Sequence, residues 1–233
     1  MPLTVNENTY IYPPRPEGAL PRGDHSIFAD LGWIAQYKYN DTRCLIKFRT
    51  DGRIQLWNRH AEIIQGYNAP IELQEQLEQI RAQLGPGYHL LDGGLLDKKH
   101  PSIKNTIVIW DILVQNGEHL IGTTYQERYD KLTDLTTGLA WVYSDDHRET
   151  CYAIGSQITQ DIFTPTCWEP KNWNKCWSLI DSINHPWLNK GNGPVLEGIM
   201  MKDPTGTLGH GFREKNNSEW QMRSRITTGR HRF

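Results

Sequence analysis

Strand-like runs joined by a tight turn constrain this fold more than any other feature of the sequence. Residues 33–39, 44–49 and 53–59 are rich in aromatic, apolar and β-branched side chains, and Asp51-Gly52 joins the second run to the third. Such runs are typical of β-strands, and an Asp-Gly pair tolerates the positive φ angles of a tight hairpin. The sequence therefore predicts an antiparallel sheet in this part of the chain.

Two helical patterns interrupt the strands. Apolar residues recur at positions 73, 77, 80 and 84 between Pro70 and Gly85-Pro86, which predicts one helix over 70–84. Thr124 and Glu127 form a capping-box pattern that opens a second helix, predicted to run to about residue 135. Strands outnumber helices without βαβ alternation, which predicts an α+β domain. The further predicted strands are 88–96, 106–114, 195–202 and 220–226, whereas 138–192 is rich in tryptophan and polar residues and receives no assignment.

Distinct segments flank this patterned region. Residues 1–26 contain five prolines and little periodicity, which predicts an extended N-terminal strap, and 27–233 is predicted to form one domain. Its end is basic, since 212–233 carries six Lys or Arg against two acidic residues. This tail is interpreted either as a phosphate-binding segment or as a solvated terminus.

The composition excludes several classes of protein. A net charge of -2 does not fit a nonspecific nucleic-acid coat, and no run approaches the ~18 apolar residues that a membrane span needs. The four cysteines form no C-x-x-C pair, which favours reduced structural thiols over disulfides or zinc. We therefore expect a cytoplasmic protein that makes no membrane contact.

Lys38 is the candidate for chemistry, because the common phosphate-binding loops are absent. The sequence contains no G-x-x-x-x-G-K-[ST] motif, and Gly209-His-Gly211 lacks the third glycine of a dinucleotide fingerprint. Lys38 instead ends one predicted strand, and Arg43 stands just before the next, where side chains can converge on a cleft. A lysine becomes a nucleophile toward phosphorus once its pKa is depressed and its proton is lost.

Six short segments stand in a fixed order along residues 33–226: 38–43, 56–59, 91–95, 109–113, 197–202 and 223–225. In this order they resemble K-x-D-G-x-R, an arginine-bearing strand, D-G-E-L, a purine-stacking segment, E-G-x-x-x-K and K-x-K, and 197–202 matches its motif in full. These are the motifs of the covalent nucleotidyltransferase superfamily, which contains ATP-dependent DNA ligases, RNA ligases and mRNA capping enzymes. The resemblance implies an ATP-grasp-like DNA ligase adenylation domain of antiparallel sheets flanked by helices over 27–233. We expect no OB-fold, which family DNA ligases usually carry after the last motif, because the sequence ends eight residues past Arg225.

The resemblance implies a role for each candidate side chain. Lys38 would attack ATP to form lysyl-AMP, and cations would neutralise the charge that develops on the α-phosphate. Carboxylates would bind Mg²⁺ or Mn²⁺ together with phosphate oxygens. The predicted catalytic residues are Lys38, Lys202, Arg223 and Arg225; the predicted metal ligands are Glu197, Asp41 and Asp92. The predicted nucleotide contacts are Gln36 and Tyr37 for the adenine edge, Arg43 for the ribose, Arg59 for a phosphate, and Trp110 for the adenine face, with Glu197 and Lys202 at the phosphates.

Several positions depart from the family pattern. Asn40 and Asp41 replace the aspartate and glycine of the nucleophile motif, and arginines replace both lysines of the last motif. Gly94 replaces the glutamate of D-G-E-L, so a contact is missing unless Asp92 or Asp97 supplies it. We expect slow formation of lysyl-AMP, and we expect Gly94→Glu to accelerate it.

The resemblance favours one activity and leaves others open. Arg43, the L-D-G segment and the W-D-I-L segment favour a DNA ligase that seals 5′-phosphate and 3′-hydroxyl ends at nicks. The alternatives are an RNA ligase, a capping-type guanylyltransferase and a degenerate module that binds nucleic-acid ends. We expect a monomer whose strap, tail or helper protein replaces an OB-fold, either cytoplasmic or virus-encoded and acting in the host cytoplasm.

Each candidate also has a simpler interpretation. Trp110 fits an apolar core, Asp92 fits a turn before two glycines, and Glu197 fits an ion pair with a lysine. Arg59 fits a pair with a carboxylate on a neighbouring strand. The other tryptophans are assigned to packing, with one or two left as base-stacking candidates: Trp141, Trp168, Trp173, Trp177 and Trp187.

Overall fold

Two β-sheets flanked by helices make up the protein in a computed structural model that describes residues 3–22, 26–100, 103–143, 151–214 and 216–226. The helices are α1 (Ser26–Asp30), α2 (Ile71–Leu84), α3 (Tyr125–Thr133) and α4 (Trp173–Asn189), with a 3₁₀ turn at Pro170–Asn172. The strands are β1 (Leu3–Thr4), β2 (Arg15–Pro21), β3 (Ile34–Tyr39), β4 (Thr42–Phe48), β5 (Ile54–Trp57), β6 (His89–Leu96), β7 (Thr106–Gln115), β8 (Glu118–His119), β9 (Gly138–Tyr143), β10 (Cys151–Thr159), β11 (Ile162–Thr164), β12 (Cys167–Trp168), β13 (Leu196–Lys202) and β14 (Asn217–Arg225). The predicted α+β class is confirmed.

The chain passes from one sheet to the other beside Lys38. The small sheet has the order β12-β3-β13-β14-β2, and the large sheet runs β5-β4-β6-β7-β11-β10-β9, with β8 and β1 attached beside β7. Because β3 belongs to the small sheet and β4 to the large one, Asn40 and Asp41 form the crossing. Asn40 anchors it, since its backbone N–H donates to Val195 O and its side-chain amide to Pro194 O, both at 3.0 Å.

The predicted hairpin and both predicted helices are confirmed. β4 and β5 form the antiparallel hairpin, and Gly52 adopts a φ of 84° in its turn. Helix α2 ends at Gly85, whose φ is 89°. Helix α3 begins with the predicted capping box, because the Thr124 hydroxyl accepts from Glu127 N–H while the Glu127 carboxylate accepts from Thr124 N–H. These features depend on neighbours in sequence, which is why the pattern was sufficient to predict them.

Two segments are more regular than the sequence predicted. Part of the predicted strap forms β2, which pairs in parallel with β14 and places Ala19 beside Arg223. Within 138–192 lies the 17-residue helix α4, whose buried face includes Trp173, Trp177 and Trp187. Its helical spacing was obscured by poor helix formers and by Pro186 in its last turns. Trp141 departs from the packing prediction, because it is 55% exposed on an edge strand.

Two main cores stabilise the sheets on which the cleft residues stand. One lies between the sheets, where Tyr39 meets Phe163 at a ring-centroid distance of 5.4 Å and the tryptophans of α4 join the same cluster. The other lies under α2, where Leu73, Leu77 and Ile80 pack against strands of the large sheet. Within the described ranges, no helix has both the length and the apolar character needed to cross a bilayer.

A fully buried ion pair fixes α3 against β7. Arg128 is 0% exposed, and its Nε and Nη2 donate to the two oxygens of Asp111 at 2.7 and 3.1 Å. Loss of one partner leaves the other charge buried without compensation, which typically costs about 3 to 5 kcal/mol.

We expect Asp111→Ala to lower the free energy of unfolding by this amount in urea denaturation. Glu169→Ala, which removes an exposed pair with Lys171, is the control and should change it by less than about 1 kcal/mol. Equal effects of the two substitutions would contradict this role of the buried pair.

Candidate active site

A cleft of about 740 Å³ opens beside the crossing between the two sheets. Of the twelve side chains predicted for catalysis, nucleotide binding or metal binding, eleven line this cleft. The twelfth, Asp92, lies behind the lining and bonds to two residues that do line it, Arg43 and Trp110. Residues drawn from six separate sequence segments therefore meet at one place.

The cleft carries a strong positive charge on a protein whose net charge is -2. Eight Lys or Arg side chains line it against three Asp or Glu. Such an excess in a concave site attracts polyanions. The cations are Arg15, Lys38, Arg43, Arg59, Lys99, Lys202, Arg223 and Arg225, and the anions are Glu17, Asp41 and Glu197.

Lys38 is held by a carboxylate from the adjacent strand. β3 pairs with β13, and the Lys38 ammonium donates a hydrogen bond to Glu197. A nitrogen of Arg225 lies 3.6 Å from the same carboxylate oxygen. Burial by itself would raise the pKa of Glu197, but the charges of Lys38 and Arg225 outweigh it and hold that pKa below its ordinary value. The lysine partner expected for Glu197 in its simpler interpretation is thus the candidate nucleophile itself.

Lys202 lies at the inner end of the cleft and is almost entirely buried. The residue is 3% exposed, and its ammonium lies 4.0 Å from the centroid of the Tyr125 ring. Burial lowers the pKa of Lys202 to about 8, although Asp111 acts in the opposite direction. The Gln36 amide donates to the Tyr125 hydroxyl at 2.7 Å, so that β3 and α3 share this wall.

Asp92 organises one wall of the cleft and is not in a turn. It is buried within β6, where it accepts hydrogen bonds from the guanidinium of Arg43 and, at 2.9 Å, from the indole N–H of Trp110. Arg43 also lies 5.2 Å from the centroid of the Trp110 ring. The core interpretation of Trp110 is therefore incomplete, because the ring lines the cleft. Stacking of a purine on Trp110 would use the face that Arg43 leaves open.

These bonds bear on the predicted metal site. Both oxygens of Asp92 already accept from Arg43 and Trp110, so the residue suits the positioning of those side chains better than the binding of a cation. In the described part of the chain, no three Asp, Glu, His or Cys side chains form a metal-binding group. Glu197 and Asp41 both line the cleft. They fit a divalent cation that takes its remaining ligands from phosphate and water, as magnesium usually does.

Asp41 occupies the space that a side chain at position 94 would need. A Cβ atom built on Gly94 would lie 2.6 Å from Asp41 Cγ and 2.7 Å from Asp41 Cβ. The expected benefit of Gly94→Glu therefore meets a steric obstacle, since the new side chain would collide with Asp41. Neither Asp92 nor Asp97 takes this place, because Asp41 fills it.

Lys99, Arg15 and His60 are among the cleft residues that were not found in the sequence. Lys99 donates to the backbone oxygen of Asp41, and Arg15 reaches the cleft from the strap. His60 accepts from Arg59 Nε at 3.0 Å, so Arg59 has a histidine where a carboxylate partner was considered. None of the three stands in a recognisable motif. The adjacent lysines 98 and 99 at the end of a predicted strand were the one available signal.

Comparison with known proteins identifies the fold. No family model matches the sequence, and no curated protein matches it significantly. Among solved structures, Pmar-Lig_Pre matches with a TM-score of 0.53 and 14% identity over 89% of this chain and 46% of its own. Pmar-Lig_PreS3 matches with a TM-score of 0.52 and 13% identity over 93% of this chain and 47% of its own. This chain therefore shares the fold of these two structures, a mixed α+β arrangement of two sheets flanked by helices.

A further match is the ligase domain of M. tuberculosis LigD, with a TM-score of 0.49 and 15% identity over 90% of this chain and 58% of that chain. A mycobacterial DNA ligase D complexed with ATP and MES matches to the same TM-score at 14% identity, over 90% of this chain and 60% of its own. This chain thus spans roughly half of the length of the ligases it resembles, from 46% to 60%.

Proposed function

We propose that this chain is the adenylation domain of an ATP-dependent polynucleotide ligase, with Lys38 as the nucleophile. One observation carries the proposal: the single cleft brings Lys38 and Glu197 together with three further predicted catalytic cations, Lys202, Arg223 and Arg225. The ligase fold supports it as well. Fold similarity by itself would not define the chemistry, which depends on the site.

The reaction begins at the amine of Lys38. Lys38 must lose its ammonium proton to solvent before it can attack, and the hydrogen bond to the Glu197 carboxylate orients the amine. The amine then attacks the α-phosphorus of ATP, and the nitrogen–phosphorus bond forms while the bond to pyrophosphate breaks. Lysyl-AMP remains on the protein, and pyrophosphate leaves.

Two further steps transfer AMP to the nucleic-acid end and then seal the strand. An oxygen of a 5′-phosphate end attacks the phosphorus of lysyl-AMP, the nitrogen–phosphorus bond breaks, and Lys38 takes up a proton. The 3′-hydroxyl of the neighbouring end, having lost its proton, attacks the activated 5′-phosphate and releases AMP. A new phosphodiester bond closes the strand. A single lysine therefore serves both as nucleophile and as leaving group.

Three cations are suited to the charge that develops on phosphorus. The Nε atoms of Arg223 and Arg225 are buried and have no hydrogen-bond partner within the described residues. Buried donors of this kind usually find an acceptor, and phosphate oxygens would supply one. Lys202 adds a group that can release a proton near neutral pH, since its pKa is about 8. Arginines keep their protons, so proton transfer to the departing pyrophosphate falls to Lys202.

The remaining predicted residues would bind the nucleotide and the metal. Arg43 would contact the ribose, Arg59 a phosphate, and Trp110 the adenine face. The backbone of Gln36 and Tyr37 would contact the adenine edge, because the Gln36 amide already donates to Tyr125. Glu197 and Asp41 would hold Mg²⁺ or Mn²⁺, which would neutralise charge on the triphosphate.

Nicked duplex DNA is the proposed substrate, and RNA ends are the second candidate. The positive cleft suits either polyanion, and the resemblance of the motifs favours DNA. A helper protein or a further domain would complete the grip on the duplex, and the protein is proposed to act as a cytoplasmic or virus-encoded monomer. A sealing assay with DNA, RNA and hybrid nicks in parallel decides among the substrates.

Nucleotide labelling tests the proposal directly. We expect [α-³²P]ATP with Mg²⁺ to label the protein covalently and [α-³²P]GTP to leave it unlabelled. Acid should release the label, since a lysine phosphoramidate is acid-labile, and added pyrophosphate should reverse the reaction. Labelling by GTP alone would identify a capping-type enzyme. No label with either nucleotide, together with failure to seal a pre-adenylylated nick, would refute ligase activity.

A further inference from the structure

Asp41 and Gly94 compete for one volume at the edge of the cleft. Asp41 lies at the crossing between the sheets, just before β4, and Gly94 lies opposite Arg43 on the neighbouring strand β6. The three nearest atoms to a Cβ built on Gly94 all belong to the Asp41 side chain, at 2.6, 2.7 and 2.8 Å. Real Cβ atoms do not approach neighbours so closely, so a side chain fits at 41 or at 94 and not at both.

Positive charge surrounds this volume. Burial raises the pKa of Asp41 to about 6, and the nearby charges of Lys38, Lys99 and Arg43 oppose that rise. Lys99 also donates to the backbone oxygen of Asp41. Glu197 is the neighbouring anion, and it is already paired with Lys38. The Asp41 carboxylate therefore lies among three cations, of which Lys38 and Arg43 are also paired with Glu197 and Asp92.

Resting on the proposed function, we infer that positions 41 and 94 form an exchangeable pair that supplies one carboxylate to the nucleophile side of the cleft. Asp41 is the positioning residue: its carboxylate lies within the electrostatic reach of Lys38, Lys99 and Arg43, and its backbone oxygen accepts from Lys99. Gly94 is the permissive partner, since its missing side chain leaves the space that Asp41 fills. The carboxylate is required at this point in space, and either strand can carry it.

A double-mutant cycle tests the exchange. Asp41→Gly should lower the rate of lysyl-AMP formation at saturating ATP by at least about 10-fold, and Gly94→Glu should do likewise through its collision with Asp41. The double variant Asp41→Gly/Gly94→Glu should recover most of the wild-type rate, because glutamate at 94 then enters the vacated space. Asp41→Asn keeps the shape without the charge, and it should lose rate while its melting temperature stays unchanged. A purely structural role for Asp41 would not produce this separation.

Thermal unfolding tests the shared volume without any activity. Gly94→Ala should lower the melting temperature in the presence of Asp41 and should lower it much less in the Asp41→Gly background. Gly209→Ala is the matched control, because a Cβ there meets no atom within 4 Å. If Gly94→Ala costs the same in both backgrounds, the shared volume is refuted.

Different experimental results would contradict the pairing of positions 41 and 94 and the proposed ligase function. If the wild type forms no lysyl-AMP, the proposed function fails, while the melting-temperature cycle still tests the pairing of positions 41 and 94. Suppose that the wild type is labelled, but the double variant forms lysyl-AMP no faster than the product of the two single-variant losses predicts. The exchange is then wrong, and the ligase proposal stands. If Asp41→Asn formed lysyl-AMP as fast as the wild type, the negative charge at position 41 would not be required.

Discussion

Lys38→Ala is expected to abolish covalent attachment of AMP and to lower strand sealing from ATP by more than about a thousandfold, the scale seen when a nucleophile is removed. Among the described residues, Lys38 is the one lysine whose amine bonds to Glu197. The fold should persist, because the side chain lines a cleft and is not part of a core. The measurement is [α-³²P]ATP labelling, with circular dichroism as the check on folding.

A matched lysine controls for nonspecific labelling. Lys175 is exposed on α4 and takes no part in the cleft, so Lys175→Ala should be labelled as strongly as the wild type. Mass spectrometry of the labelled wild type should place AMP on the peptide containing Lys38. Labelling of Lys38→Ala at the wild-type level would show that another residue is the nucleophile.

Lys202→Met is expected to make the protein more stable and far less active. A lysine with a pKa of about 8 in the folded state and 10.5 as its ordinary value binds its proton less tightly when folded, so its charge opposes folding. That shift corresponds to at most about 3 kcal/mol at pH 7. Because methionine removes the charge but keeps much of the volume, we expect a gain of about 1 to 3 kcal/mol. Lysyl-AMP formation should fall by roughly 10² to 10³, as when a group that stabilises transition-state charge is lost.

The lowered pKa of Lys202 also determines how the stability difference between Lys202→Met and the wild type changes with pH. Below pH 8, Lys202 is charged in the folded and the unfolded protein, and the full penalty applies. As the pH rises from 8 toward 10.5, the folded protein loses that proton first and the penalty disappears. The stability difference between Lys202→Met and the wild type in urea titrations should therefore be largest near pH 7 and should shrink above pH 8. A variant less stable than the wild type at pH 7 would show that the contact with Tyr125 outweighs the cost of burial.

The amino-acid sequence was sufficient to predict the local elements and to name the candidate residues of the cleft. The Asp51-Gly52 turn, the periodic face of α2 and the Thr124 capping box were predictable because each depends on residues a few positions apart. The candidate residues were found through the order and spacing of short motifs. Their spatial convergence in one cleft was only an expectation until the two sheets were described.

The tertiary structure alone decided which groups touch across long separations in the chain. Asp92 was interpreted as a turn residue or a metal ligand, but packing of β6 against β4 and β7 turns it toward Arg43 and Trp110. The place of Asp41 over Gly94 depends on a strand register between residues more than fifty positions apart. A periodic pattern tells which side of a strand is buried, whereas register and sheet crossing are set by the free energy of packing the whole chain. For that reason the sequence predicted Lys38 as the nucleophile, and only the fold revealed that its amine bonds to Glu197 and that Asp41 fills the space beside Gly94.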